Sequence, residues 1–145
     1  MEKLLKKYQD TGKFNFDLNE NLKNVCNAPN NKCGVYLFYG INGSSKILVY
    51  IGCSGHIKND GSLSIRKTGM GGIKGRIVNG HQFGKVQRHI SLPLQMKIDN
   101  FSSLEVKWYV THDKTYIDSP SFVESCLLQY YFEEYKRLPK WNEKF

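Results

Sequence analysis

The sequence lacks any long apolar run. None of its 145 residues lies in an apolar stretch near the length of about 18 residues that a bilayer-spanning helix needs, so a membrane protein of that kind is excluded. The start, Met1–Lys7, also has no apolar core of the kind that a signal peptide requires. We therefore expect a cytoplasmic protein. Its length suits a single domain, residues 1–145, that buries a core without disulfides or metals.

Cysteines are few, and their spacing is uninformative. Cys26, Cys33, Cys53 and Cys126 form no CxxC pair, and their separations match no common zinc-ligand spacing. Without an export signal, the reduced state is the default. We expect buried thiols rather than a zinc site or a disulfide framework.

Carboxylates are missing from residues 61–98, although seven lysines and arginines lie there. The whole chain has 21 Lys and Arg against 13 Asp and Glu, a net charge of +8. A block of one charge sign is either a solvated face or a surface for a polyanion, and the accompanying turn-rich loop favours nucleic acid. Its several glycines and lack of a continuous amphipathic helix disfavour a membrane surface. The residues that we expect to contact DNA phosphates are Arg66, Lys67, Lys74, Lys85 and Arg88.

Two short tripeptides are the most informative motif. Gly34-Val35-Tyr36 and Tyr50-Ile51-Gly52 lie in two β-favouring runs that flank the turn residues Asn42-Gly43, a pattern that predicts a β-hairpin. Because side chains alternate along antiparallel strands, Tyr36 and Tyr50 can point to one side of the sheet. The two glycines would allow close backbone packing at the strand ends.

The elements that follow include one further strand and two helices. Residues 104–110 alternate, with Leu104, Val106, Trp108 and Val110 on one face, and predict the third strand. Residues 73–81 predict a helix with Ile73 and Ile77 turned inward, and a long helix begins at Ser119 or Ser121 and stops before Pro139.

The remaining segments are less regular. Residues 1–30, which include the alternating piece 13–18, are interpreted as an extension packed on the core, and residues 56–72 as a loop insertion. Residues 91–100 predict a connecting helix or an irregular segment that Pro93 interrupts.

The ordered tripeptides, with a later helical arginine, a helical glutamate and a near-terminal asparagine, resemble the signature of the GIY-YIG nuclease superfamily, with Val35 in place of the first isoleucine. The resemblance implies a small α/β (α+β) domain with a three-stranded antiparallel sheet flanked by helices. It also implies cleavage of DNA with one divalent cation, Mg²⁺ or Mn²⁺.

The resemblance assigns catalytic roles to residues across the chain. Tyr36 would activate the water, with nearby arginine and metal charge lowering the pKa of its phenol, and Tyr50 would hydrogen-bond water or phosphate. Arg76 would bind the scissile phosphate. Arg66 competes for this role, because the 23 residues between Gly52 and Arg76 exceed the usual short connection.

The other implied site residues lie after Arg76. His81 would serve as an additional base or phosphate donor. Glu124 would bind the metal, and this role is favoured over the alternative that its position three residues after Ser121 also suits, a capping box. Asn142 would support the site.

The expected function is therefore metal-dependent endonucleolytic cleavage of DNA, with a homodimer possible for cutting both strands. Two alternatives stay open. The first is a binding module that recognises DNA or RNA on the same fold without cutting it, and the second is a protein-interaction domain with an incidental charge excess. Only the nuclease would lose cleavage, while keeping binding, when Glu124 is removed.

Overall fold

The main sheet of the described residues has four antiparallel strands. The structure, a computed structural model, describes residues 1–65 and 70–145. Its elements, in chain order, are α1 (Glu2–Leu5), β1 (Thr11–Asp17), α2 (Leu22–Val25), β2 (Cys33–Asn42), β3 (Ser45–Ser54), β4 (His56–Ile57), β5 (Leu63–Ser64), α3 (Gly72–Asn79), α4 (Arg88–Ile98), β6 (Ser103–His112) and α5 (Pro120–Tyr135).

The order of strands in this sheet is β1-β6-β2-β3. The three strands expected from the sequence are β2, β3 and β6, and the prediction of a three-stranded sheet is wrong by one strand. The fourth, β1, comes from the N-terminal segment and pairs with β6 from Thr11 opposite Tyr109 to Asp17 opposite Ser103. Its Phe14 and Phe16 are buried in the core, which explains the alternating pattern of this segment.

Helices cover both faces of the sheet. Tyr36 and Phe38 of β2 point to one face, where they join the core formed by α2, α3 and α4. Val35 and Leu37, the alternating residues of the same strand, point to the other face and pack with α1 and α5. Since β2 is buried on both sides, its sequence is almost continuously hydrophobic.

Two segments are more regular than the sequence predicts. The expected loop insertion contains a small hairpin, in which His56 pairs with Ser64 and Ile57 with Leu63. Helix α4 begins at Arg88 and continues through Pro93, because packing of its inward side outweighs the missing proline N–H. The expected helix at residues 73–81 is confirmed as α3, with Ile73 and Ile77 buried.

None of the helices in the described ranges, residues 1–65 and 70–145, has the length and apolar composition needed to cross a bilayer.

Candidate active site

A cavity of about 290 Å³ collects residues from β2, β3, α3, α4 and α5. Five of the six catalytic residues expected from the sequence line it, and they come from distant parts of the chain. The full lining consists of Tyr36, Tyr50, Cys53, Gly55, His56, Arg76, Gly80, His81, Arg88 and Glu124. Cys53 and His56 were not among the expected site residues, although both lie within four positions of Gly52.

The two tyrosines lie diagonally across the β2–β3 pair. Tyr36 is opposite Gly52, and Tyr50 is opposite Phe38, so both phenols lie on the same face, as predicted. Their ring centroids are 6.1 Å apart. A Cβ on Gly52 would lie 2.7 Å from Cζ of Tyr36 and 2.7 Å from Cε1 of Tyr50, so glycine is what lets both rings sit here.

The Tyr36 phenol is held in its neutral form. Burial raises the pKa of Tyr36 far above its ordinary value of 10.0, and the neighbouring Tyr50 adds to the rise. Arg88 and Arg76 act in the opposite direction but do not compensate for burial. Arginine charge thus lowers this pKa as expected, but burial outweighs it, and the net shift in the protein alone is upward. A neutral phenol can still orient a water molecule through its oxygen.

Glu124 projects into the cavity from the second turn of α5. The helix begins at Pro120 with Ser119 as its N-cap, because proline is preorganised for the first helical position. Ser121 is thus inside the helix, and the capping-box interpretation of Glu124 is wrong. Burial raises the pKa of Glu124, while a hydrogen-bonding contact with the Cys53 thiol and the positive charge of Arg76 partly offset the rise.

Arg76 and His81 form the exposed edge of the cavity. Arg76 lies in the last turn of α3 with its side chain exposed, and His81 follows two residues after the helix ends, also exposed. Their exposure leaves both side chains accessible to a ligand in the cavity. Arg66, the alternative to Arg76, lies outside the described residues, as does Lys67.

Arg88 does not lie on the surface as expected. Only 2% of it is exposed, and its guanidinium is inside the cavity wall. A phosphate could reach Arg88 only through the cavity, and the DNA contact expected there stays a prediction. Lys74 is half-buried on α3 and Lys85 is exposed between α3 and α4, and neither is part of the cavity lining.

Asn142 lies outside the cavity lining and contacts β3. Its side-chain amide accepts a hydrogen bond from the Ile51 N–H at 3.0 Å and donates one to the Ile51 carbonyl at 2.9 Å. The Trp141 N–H donates to the Val49 carbonyl at 2.8 Å. The C-terminal segment thus pairs with the outer edge of β3 on both sides of Tyr50 and holds that strand in position.

A buried carboxylate anchors this C-terminal segment. Asp99 accepts hydrogen bonds from Lys140 Nζ at 2.6 Å, from Trp141 Nε1 at 2.7 Å and from Gln95 Nε2 at 3.0 Å. Its side chain is only 5% exposed. Burial alone would raise the pKa of Asp99, but these bonds outweigh it and hold the pKa below its ordinary value.

Glu124 is the residue that could hold a divalent cation. Across residues 1–65 and 70–145, no three His, Cys, Asp or Glu side chains cluster closely enough to enclose an ion. Mg²⁺ commonly takes one or two protein carboxylates and fills its remaining positions with water and substrate phosphate. The half-buried carboxylate, with cavity space beside it, fits that mode of binding.

Comparisons with protein-family models, with curated proteins and with solved structures found no significant match to this chain.

Proposed function

We propose that this protein is a divalent-metal-dependent endonuclease that hydrolyses DNA phosphodiester bonds. The observation that carries the proposal is the convergence of Tyr36, Tyr50, Arg76 and Glu124 on one cavity. These are the residue types that phosphodiester hydrolysis needs: groups that orient a water, a cation for the phosphate and a carboxylate for a metal. Bound Mg²⁺ or Mn²⁺ would neutralise phosphate charge and polarise the scissile bond.

The chain's own side chains have distinct roles in this proposal. The neutral phenol oxygen of Tyr36 accepts a hydrogen bond from the attacking water and orients it, while Tyr50 fixes the water or a phosphate oxygen. In this proposal His81, at the exposed edge of the cavity, accepts the proton of the attacking water. Arg76 binds the phosphate with its planar guanidinium and stabilises the added charge of the transition state.

The surroundings have room for a nucleic-acid strand. A larger cleft of about 620 Å³ shares the lining residues His56, Arg76 and His81 with the cavity, so the two spaces lie next to each other. The net charge of +8 favours a polyanion, and binding should weaken steeply with salt. One cavity makes one nick, so a duplex cut requires a second event or a second copy of the chain.

A non-catalytic nucleic-acid-binding module is the second candidate. It is supported by the charge balance of the cavity, where two guanidinium groups face one carboxylate. Such a cavity would bind a phosphate whether or not the phosphate is cleaved.

Cleavage of supercoiled plasmid separates the two functions. We expect nicking with Mg²⁺ or Mn²⁺ that EDTA abolishes and that Glu124→Gln reduces about 100-fold or more, the size of loss that follows removal of one electrostatic contact. DNA binding by Glu124→Gln should stay intact. The matched control is Glu133→Ala, an exposed glutamate of the same helix. Binding without cleavage of duplex, branched and single-stranded DNA would instead establish the binding module.

A further inference from the structure

Arg88 makes an unusual set of contacts in the cavity wall. Its Nη2 donates to the Tyr50 hydroxyl at 3.2 Å, its Nη1 to the Arg76 carbonyl at 2.5 Å and its Nε to Gln82 Oε1 at 2.9 Å. One buried guanidinium therefore joins a candidate catalytic tyrosine to the backbone of the candidate phosphate-binding arginine.

All of these acceptors are uncharged. Among the described residues, no carboxylate forms a salt bridge with Arg88. The guanidinium carbon instead lies 5.1 Å from the ring centre of Tyr50, 5.4 Å from that of Tyr36 and 5.5 Å from that of Phe38. Ring faces attract a cation, but three rings do not cancel its charge.

The buried charge of the Arg88 guanidinium opposes folding. A buried cation without a counterion loses its hydration and destabilises the fold, whereas an apolar side chain of similar volume would not. Arginine does not lose its proton in proteins, so the charge stays. Packing alone does not explain an arginine at this position.

The connection between α3 and α4 is built around this side chain. The Arg88 N–H donates to the Gly80 carbonyl at 2.9 Å. A Cβ on Gly80 would lie 2.5 Å from Arg88 Nη1, so a glycine there makes room for the guanidinium. Backbone and side chain of Arg88 together fix the end of α3 from which Arg76 reaches the cavity.

We propose that Arg88 is a positioning residue, which holds the Tyr50 hydroxyl and the Arg76 end of α3 in their working geometry. The proposal rests on the nuclease function proposed above, with Tyr50 and Arg76 as its acting groups. Because Arg88 is 2% exposed, it should affect the rate of the chemical step more than the binding of DNA.

The test uses two substitutions of different chemistry. Arg88→Met keeps an unbranched side chain and removes both the charge and the donors, whereas Arg88→Lys keeps the charge but cannot bond Gln82, Arg76 and Tyr50 together. Arg137→Met, at an exposed arginine, is the matched control. The readouts are kcat and KM for DNA nicking, DNA affinity, and the NMR signal of ¹³Cζ-labelled Tyr50 without DNA or metal.

We expect Arg88→Met to lower kcat about 10- to 100-fold, since misplacement by about 1 Å can cost a factor of 100, with KM and DNA affinity nearly unchanged. The Tyr50 signal should shift. Arg88→Lys should recover part of kcat, and Arg137→Met none of these effects. Wild-type kcat with an unshifted Tyr50 signal would overturn the proposal, as would a rise in KM at unchanged kcat, which would make Arg88 a DNA contact.

Two safeguards keep the outcome decisive. If Arg88→Met does not fold, Gln82→Ala removes a single partner of the guanidinium and should give the same effects at smaller size, about 2- to 10-fold in kcat, because the bonds to Arg76 and Tyr50 remain. If the wild-type protein cuts no DNA, the nuclease function fails. The Tyr50 signal then still decides whether Arg88 positions that hydroxyl.

Discussion

Replacing Gly52 by alanine tests the placement of the two tyrosines directly. The added Cβ would lie 2.7 Å from a ring carbon of Tyr36 and 2.7 Å from one of Tyr50. Non-bonded carbon atoms normally approach to about 3.5–4.0 Å, so the rings or the backbone must move apart by roughly 1 Å. The φ angle of Gly52 is outside the left-handed region, and alanine is therefore free of backbone strain there.

The loss of stability in Gly52→Ala depends on whether the Tyr36 ring or the Tyr50 ring can move. Tyr36 is 1% exposed and enclosed by core residues, whereas Tyr50 is half-buried and borders the cavity. We expect Tyr50 to shift into the cavity and to lose its bond to Arg88. Overpacking of this kind costs about 1–3 kcal/mol. With a urea m-value of about 2 kcal/mol/M, a loss of about 2 kcal/mol lowers the urea midpoint by about 1 M.

Urea denaturation of Gly52→Ala measures this loss, with plasmid nicking as the second readout. Ser45→Ala, an exposed change on the same strand, is the control and should stay within about 0.5 kcal/mol of the wild type. In a double mutant, Tyr50→Ala should relieve part of the clash and give a non-additive free energy. A wild-type midpoint together with wild-type nicking in Gly52→Ala would refute the described ring positions.

Two further predictions concern the C-terminal segment. Asn142→Ala removes both hydrogen bonds to Ile51 and should cost about 1–2 kcal/mol; amide hydrogen exchange at Ile51 should become faster, and unchanged exchange would contradict the described pairing. Asp99 has a lowered pKa in the folded state, so its carboxylate stabilises the fold above the unfolded value and loses this effect as pH falls below the ordinary value of 3.8. The difference in unfolding free energy between the wild type and Asp99→Asn should thus be large at pH 7 and shrink below about pH 4, and a difference independent of pH would count against the anchoring role.

Local patterns predicted much of the fold. Strand β6 follows from the alternation of residues 104–110, and α3 from the helical spacing of Ile73 and Ile77. Strand β1 was missed as part of the sheet because its partner is β6, some ninety residues away. Whether β1 pairs with β6 depends on whether β6 has an edge that no other strand occupies. The alternation of side chains within β1 gives no information about that.

The residues that form the site could be predicted from the sequence, but their burial and pKa shifts could not. The family resemblance assigned Tyr36, Tyr50 and Glu124 to one site, and all three line one cavity. The direction of the Tyr36 pKa was wrong, because burial is a tertiary property that outweighs nearby charge. Arg88 was expected to contact DNA because it lies in the carboxylate-free block of residues 61–98, and that local charge pattern does not show that its side chain is buried.

The two tripeptides, residues 34–36 and 50–52, also contribute to the packing of the sheet. A Cβ on Gly34 would lie 1.8 Å from the Tyr109 carbonyl oxygen, so this glycine is needed where β2 approaches β6. Gly52 is needed for the Tyr36 ring, and Tyr36 itself fills the core. The packing of this sheet needs these three residues whether or not the protein is a nuclease. The tripeptides therefore support the fold more strongly than the function.

Arg76 and Glu124 are charged residues that the packing of the core does not need. Arg76 is exposed, and within the described part of the chain it forms no salt bridge. Glu124 is a half-buried carboxylate whose charged form burial disfavours, and it caps no helix. Such groups contribute little to stability or oppose it. Their meeting with Tyr36 and Tyr50 in one cavity is the observation on which the proposed binding of a phosphate and a cation rests.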